Sequence, residues 1–465
     1  MGPRKPSPAT GRSRSRRRTS GFLLAGVAAA LLATAAQAAQ DQLVVNTAIG
    51  GPVLRLDWPA VQIGIGSYEE GPTGLTIFRF PNRVMAAVDV RGGAPGTVNT
   101  DILRLGYDER FVDAIVLAGG SSYGLEATTA VMTGLMDGAS HSGAWDQIAT
   151  AAGAIIYDFR DHRLNEIYPD KRLALAALHA LRRGVFPQGA QGAGRAALQG
   201  TLFECNAYSG QGGAFRQIGQ TKIAAFVVVN ALGVVTDREG RIVRCHRDAA
   251  WGDIVNTSDL LAHVAAHAQP PPAGTSQHTN VSLIVTNRLL SWAALQRLAV
   301  QVHTSMGRGI QPIATAEDGD TLYAVSTQEV GEDAALPLDE LYIAASEAMW
   351  DAILASVPDE REFHPPMGVS VPAEQLGALP GDYRFGRNAL LHVWVQDGQL
   401  MARLIGQQFL ELGSQPTVLH PTSAHDFYVE SRFHTRVSFT IADGQAKAAT
   451  INPGRWAQHG ERVAQ

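Results

Sequence analysis

The residues best placed to do chemistry lie in His278-Thr279-Asn280-Val281-Ser282-Leu283-Ile284-Val285-Thr286-Asn287. A threonine stands at the head of an apolar, β-branched run that reads as a buried strand. The stretch before it, 268–277, carries Pro270, Pro271, Pro272 and Gly274, and holds neither a helix nor a central strand. A loop running into a strand that opens with Thr suits a self-cleaving precursor. The hydroxyl attacks the carbonyl before it, the ester hydrolyses, and the new terminal Thr keeps its side chain as nucleophile and its α-amine as base. A free α-amine titrates at about 7.7–8.0, in range for general-base work near neutral pH. The same residues also read as a surface loop feeding an ordinary core strand.

A rival nucleophile is Ser122. Gly120-Ser121-Ser122-Tyr123-Gly124 is a literal G-x-S-x-G between an expected strand, 112–117, and a helical stretch ending near Met136, the setting of a nucleophile elbow. No HGGG-type segment lies upstream, and 151–280 lacks the strand–helix alternation of an α/β-hydrolase sheet. A tight structural turn is the simpler account. Asn230 ends the apolar run 226–229 and serves either as a turn former or as an oxyanion donor. His263 and His267 share a helix face at i, i+4. Val264 replaces the Glu of HExxH and no ligand cluster accompanies them, so no metal and no cofactor is expected.

These residues sit in a chain of 465 with 45% hydrophobic and 17% charged content, enough for a large core and more than one domain. A net charge of −5, with no basic cluster beyond the N-terminus, excludes a nucleic-acid footprint. The two cysteines, Cys205 and Cys245, allow one bridge in an oxidising compartment, and sequence does not say whether they meet. Arg12, Arg14, Arg16, Arg17 and Arg18 precede an apolar run, 22–36, and Ala36-Gln37-Ala38 fits a cleavage site. Residues 1–38 are therefore expected to be an export signal, by Sec or the twin-arginine route, for a periplasmic or secreted protein. The run is short for a membrane span.

The elements that must position the candidates follow in order. Apolar runs at 54–65 and 74–80 precede the glycine-rich turn 91–97. Strand 112–117, the turn at 118–124 and a helix to about 136 make an α/β unit. A helix is expected over 171–184, on Leu173, Leu175, Leu178 and Leu181. Gly189, Gly192 and Gly194, then Gly210, Gly212 and Gly213, make either hairpin turns or an amide-lined wall. After Thr279, Ser291 is an expected N-cap, Leu295, Leu298, Val302 and Met306 form an apolar stripe, and Gly307 a stop. Strand 322–326 and helix 341–357 complete a strand–helix–strand–helix pattern. Prolines 358, 365, 366 and 372 mark a linker over 358–377. Beyond it, 378–465 reads as a small all-β barrel or sandwich. Its signals are the hairpin 391–395, Asp397-Gly398, 400–404, and strands at 426–430, 436–441 and 447–451.

Several motifs recur in order: Val90-Arg91-Gly92-Gly93-Ala94-Pro95-Gly96-Thr97, Ala118-Gly119-Gly120-Ser121-Ser122-Tyr123-Gly124-Leu125, Ile155-Ile156-Tyr157-Asp158, Gln191-Gly192-Ala193-Gly194, Val228-Val229-Asn230-Ala231-Leu232-Gly233 and Val285-Thr286-Asn287. On these, residues 52–357 resemble the DmpA-type L-aminopeptidase/D-esterase and β-aminopeptidase family. The resemblance implies an α/β fold, a four-layer αββα sandwich like that of N-terminal-nucleophile hydrolases, spanning 39–357 and cut between His278 and Thr279. It further implies Thr279 as nucleophile, Asn230 as oxyanion donor, Tyr157 as a hydrogen-bonding group, and Asp318 and Asp320 as the pair beside the nucleophile's amine, with the Ser122 turn as scaffold. His278 departs from the Asn or small residue common there, and Asn287 from the usual Asp. The expected protein is an exported, self-processing aminopeptidase or amidase-esterase acting on short peptides, amino-acid amides or esters, as a homo-oligomer of processed two-chain units. The alternatives are a single-chain esterase using Ser122 and an inactive secreted binding protein.

Overall fold

The computed structural model describes residues 2, 43–104, 110–137, 144, 147–159, 163–203, 205, 207–245, 254, 256–267, 278–331, 336–357, 369–406, 412–430, 435–452 and 457–463. The expected export signal (save Gly2), the proline-rich stretch 268–277 and the first half of the linker, 358–368, lie outside the described residues. The unit Val44–Gln465 holds everything that follows.

Its centre is an eleven-stranded sheet folded over on one long strand. In chain order the strands and helices that matter are β1 (Gln62–Tyr68), β2 (Thr73–Val90), β3 (Phe111–Ala118), α1 (Glu126–Met136), β4 (Ala151–Ile155), α2 (Lys171–His179), β5 (Gln211–Ile218), β6 (Thr221–Val228), β7 (Val281–Arg288), α3 (Trp292–Ser305), β8 (Thr321–Val330) and α4 (Leu338–Ser356). The sheet order is β5-β6-β7-β8-β2-β3-β4, with β1 also on β2. The expected strand 74–80 is only the first part of an 18-residue strand. Pro81 and Asn82 are exposed at its middle, and the pairing with β3 shifts register between Arg79 and Val84. A proline survives there because an irregular step leaves its missing N–H without a ladder partner to satisfy.

Side-chain alternation then sorts the layers. Ala224, Phe226 and Val228, Val281, Leu283 and Val285, and Tyr323 and Val325 face Phe78, Ile115, Leu117 and Ala154 in one core. Ile223, Ala225 and Val227, Ile284, and Leu322 and Ala324 pack against α3 and α4 in a second core. Helices α1 and α2 cover the far side of the other sheet layer, where Leu173 and Ala177 lie against Gly66. Helix, sheet, sheet, helix is the expected four-layer αββα order. The two sheet layers are one continuous hydrogen-bonded sheet. β7 is buried along its whole length, and its central Leu283, Ile284 and Val285 are apolar in succession because both its faces meet a core.

Ser291 caps α3 as expected, accepting the Ala294 N–H through its side chain. Gly307, the expected stop, instead lies inside a 3-10 turn, Met306–Arg308, that extends the helix end. The helix expected over 171–184 ends at His179, because Arg182–Arg183 pairs with β1 as a strand. A helical turn, Ala373–Leu376, occupies the second half of the expected linker. Cys205 and Cys245 form a disulfide beside Phe203, Val234 and Ile242.

The C-terminal region is a closed barrel of eight antiparallel strands, between Gly381–Phe385 and Gln458–Arg462, and not a sandwich. Tyr383, Phe385, Phe427 and Phe439 fill its interior. Asp397 and Gly398 both take positive φ, 50° and 76°, as the two-residue hairpin requires. The barrel touches the sandwich where the Arg387 N–H donates to Glu166 Oε1 at 2.7 Å and Gln458 Nε2 donates to the Gly71 carbonyl at 3.2 Å. Among the described residues, no helix is long and apolar enough to cross a membrane.

Phe226 ties the two sheet layers, with its ring centre 4.7 Å from that of Phe78 and 4.8 Å from that of Phe186. Phe226→Ala is expected to cost about 3–5 kcal/mol, read as a lowered urea midpoint at unchanged slope. A loss under about 1 kcal/mol would mean that the layers do not depend on this contact.

Candidate active site

Strand register assembles the site. β7 and β8 run parallel, with Val281 opposite Thr321. Carried back past the strand ends, that register pairs His278 with Asp318 in a parallel bridge, and so sets Thr279 beside Gly319 and Asn280 beside Asp320. β6 is antiparallel to β7, with Val228 opposite Val281. The same geometry carried forward brings Asn230 to Thr279, whose N–H donates to the Asn230 carbonyl at 2.9 Å. Five of the expected residues, His278, Thr279, Asn230, Asp318 and Asp320, thus meet at one end of three central strands, and all are buried.

Thr279 is 3% exposed. Its Oγ1 donates to the carbonyl oxygen of His278 at 2.5 Å, and that oxygen also accepts the Gly319 N–H at 2.8 Å. Asp320 Oδ1 accepts from the Asn280 N–H at 2.6 Å and from Asn280 Nδ2 at 2.9 Å, while Oδ2 accepts the Ala314 N–H at 2.7 Å. Asp318 Oδ2 accepts the Thr315 N–H at 2.9 Å. Asp318 Oδ1 is buried and accepts no hydrogen bond from the described residues. Asn230 Oδ1 accepts the Leu198 N–H at 3.2 Å, and Nδ2 donates to the Tyr157 carbonyl at 2.8 Å. Tyr157 therefore meets Asn230 through its main chain, while its half-buried ring lies edge-on to Phe159.

The loop 318–320 is held from outside by the glycine-rich turn. The Arg91 and Gly92 N–H groups donate to the Asp320 carbonyl at 3.0 and 3.3 Å, and the Ala94 N–H donates to the Asp318 carbonyl at 2.8 Å. A Cβ on Gly92 would stand 2.2 Å from the Asp318 oxygen and 2.3 Å from the Asp320 nitrogen. Only glycine lets the two backbones approach so closely.

Sequence reasoning missed Asn280, which joins Asp320 to Asn230 by accepting the Asn230 N–H at 3.2 Å, and Gly319. The available signal was the placement of His-Thr-Asn and Asp-Gly-Asp, each immediately before an apolar strand of a strand–helix–strand unit. Ser122 is exposed in a 3-10 turn, Ser121–Leu125, and the left-handed residues are Gly120 and Ser121, not Ser122. The Gly120 N–H and Thr73 Oγ1 both donate to Asp158, which pairs at 2.6 Å with Arg163, with both charged side chains fully buried. His263 and His267 lie on the helix Thr257–His267. Among the described residues, no group of three or more His, Cys, Asp or Glu side chains is placed to hold a metal ion.

Burial pushes the Asp320 carboxyl up to about 6, the negative charge of Asp318 adds to this, and the Asn280 and Ala314 N–H groups oppose it. Asp318 is raised as well, chiefly by burial and against its hydrogen bond from Thr315. An unfolded aspartate titrates at about 3.9, so the folded chain binds these protons more tightly. The stability they confer is whole below about pH 4 and is lost as pH rises through about 6. In Thr279→Ala, which lacks the hydroxyl, urea unfolding should show a loss of about 2–3 kcal/mol from this source between about pH 4 and 7. Adding Asp320→Asn should remove most of that loss. An equal fall in both chains would assign it to other groups.

Residues 56–367 match the family described as Peptidase family S58. A 6-aminohexanoate-oligomer endohydrolase of Paenarthrobacter ureafaciens is 42% identical over 316 residues, which are 66% of this chain and 86% of that protein. An uncharacterized aminopeptidase of Mycobacterium tuberculosis is 34% identical over 327 residues, 66% of this chain and 89% of its own. Among solved structures, a β-aminopeptidase of Burkholderia sp. is similar at a TM-score of 0.47 and 18% identity, over 67% of this chain and 89% of that one. The L-aminopeptidase D-Ala-esterase/amidase of Ochrobactrum anthropi is similar at 0.47 and 19%, over 68% and 88%. With its matched segment spanning the sandwich and the whole Thr279 cluster, the chain belongs to peptidase family S58 and is a hydrolase of the aminopeptidase and amidase kind.

Proposed function

We propose that this protein is an exported hydrolase that cuts itself between His278 and Thr279, then uses Thr279 as an N-terminal nucleophile on the amide and ester bonds of short, unbranched substrates. The observation that carries the reading is the 2.5 Å contact of Thr279 Oγ1 with the carbonyl oxygen of its own preceding residue, in a site closed to solvent. After the cut, the α-amine of Thr279 takes the hydroxyl proton as the oxygen attacks the substrate carbonyl. The Asn230 carbonyl, which already accepts this nitrogen's proton, and the open oxygen of Asp318 hold the amine. An amide NH2 carries two donors. Asn230 Nδ2 uses one on Tyr157 and offers the other to the oxyanion. Water then releases the acyl group.

The relatives named for 6-aminohexanoate oligomers favour linear oligoamides of ω-amino acids beside amino-acid amides and esters as substrates. Export is supported by the basic-then-apolar N-terminus and by the Cys205–Cys245 disulfide, which suits an oxidising compartment. The working form is a homo-oligomer of processed two-chain units.

Intact mass is the test. Purified protein should resolve into a fragment ending at His278 and one beginning at Thr279. Thr279→Ala should stay uncut and lose hydrolysis of 6-aminohexanoate oligomers and amino-acid anilides by at least about a thousandfold, while Ser122→Ala keeps both. An uncut wild-type chain that still hydrolyses these substrates sinks the reading.

A further inference from the structure

We propose that the main-chain N–H of Gly319 is the oxyanion donor of the self-cleavage step, and that residue 319 is glycine because a side chain there would take the space of the nucleophile. This rests on the Thr279 reading above and goes beyond it, since that reading names no donor for the uncut chain.

The donor is in place before reaction. The Gly319 N–H lies 2.8 Å from the carbonyl oxygen of His278, the oxygen that becomes the oxyanion when Thr279 attacks. The neighbouring candidate, Asn230, gives one Nδ2 hydrogen to the Tyr157 carbonyl and accepts the Leu198 N–H at Oδ1, and among the described residues no hydrogen bond joins its side chain to the His278 oxygen in the uncut chain. Thr279 Oγ1 also donates to this oxygen, but its proton must leave as the oxygen attacks. The Gly319 N–H keeps its bond throughout.

The donor is also fixed. The carbonyls on either side of it, those of Asp318 and Asp320, accept N–H groups from Ala94, Arg91 and Gly92, and the parallel bridge of His278 to Asp318 sets the register. A pre-oriented N–H needs no reorganisation as charge develops, which is where such donors exert their effect.

The glycine itself is explained by space and not by backbone conformation. Gly319 is absent from the left-handed residues. A Cβ built on it would stand 2.7 Å from Thr279 Oγ1, 3.0 Å from Thr279 Cγ2 and 2.9 Å from the Ala94 carbonyl oxygen. The first distance is shorter than a carbon–oxygen contact permits.

In the step itself, Thr279 Oγ1 bonds to the His278 carbonyl carbon, and the C=O pair moves onto the oxygen held by Gly319. The intermediate collapses, the C–N bond breaks, and the Thr279 nitrogen gains the proton that Oγ1 lost. Water then hydrolyses the ester to the His278 carboxylate and the free Thr279 hydroxyl.

The test replaces the Gly319 peptide bond by an ester, through glycolic acid incorporated at position 319 during cell-free synthesis of the full chain, and follows conversion of precursor to fragments. This deletes the N–H and adds no atom. Cleavage should slow by about 100-fold or more. The matching ester at Thr321, whose N–H donates to the Asn280 carbonyl, should slow it far less. A 319 ester that cleaves within about threefold of the amide, or a Thr321 ester that slows as much, overturns the proposal. Gly319→Ala should also fail to cleave, and cleavage at the normal rate would overturn the steric half. If Gly319→Ala does not fold by circular dichroism, the esters decide. Thr279→Ala that still cleaves refutes the nucleophile reading. A block in Thr279→Ala with full speed in the 319 ester leaves that reading standing and removes only the donor.

Discussion

The parallel pairing of β7 with β8 is the constraint on which the rest depends. It matches Val281 to Thr321 and carries the match back three residues, past the last regular pair, to His278 and Asp318. Thr279, Gly319 and the two aspartates are thereby fixed by main-chain hydrogen bonds and not by side-chain chance. Since a slip of one residue would turn every side chain of a strand to the other face, and both faces of β7 are buried in different cores, the register cannot drift without exposing a core. Core packing thus sets the positions of these groups.

That end of the sheet gathers groups that resist burial. Two carboxyls on residues two apart, both shielded from water, cannot ionise together at low cost, which is why protons are retained up to about pH 6 at Asp320. The fold accommodates them with N–H donors from Asn280, Ala314 and Thr315, and one oxygen of Asp318 has no donor among the described residues. An unpaired buried acceptor costs about 1–3 kcal/mol. A buried acceptor of this kind is a place that a further donor would satisfy.

Around this centre the scaffold is built from close backbone approaches. The glycine turn at 91–94 presses on 318–320. The Gly119-Gly120 turn is held by Asp158, whose ion pair with Arg163 is sealed from solvent. Such a pair adds little stability against an apolar substitute, yet losing one partner costs about 3–5 kcal/mol, so it works as a lock on geometry. The barrel lies beyond the matched segment and leans on the same stretch through Glu166.

The sequence by itself determined several of the central strands, their order of appearance and the residue types gathered at the site, but not strands Ala151–Ile155 and Gln211–Ile218. Thr279 before a β-branched run, Asn230 at the end of another and Asp-Gly-Asp before a third were all readable, because period and turn chemistry are local. So was the hairpin at Asp397-Gly398. Helix ends were read less well. Arg182–Arg183 left helix α2 to pair with β1, since a sheet edge offered more than another helical turn, and Gly307 fell inside a turn that needed no stop. Only the tertiary structure decided that Cys205 meets Cys245 and that the β region closes into a barrel. It also decided that Gly319, between two aspartates that drew the attention, points its N–H at the carbonyl Thr279 would attack. The reason is physical. The disulfide and the Gly319 bond join residues some 40 positions apart, and the barrel closes by pairing Tyr383 with Arg462; their geometry comes from strand register and packing, which no local pattern encodes.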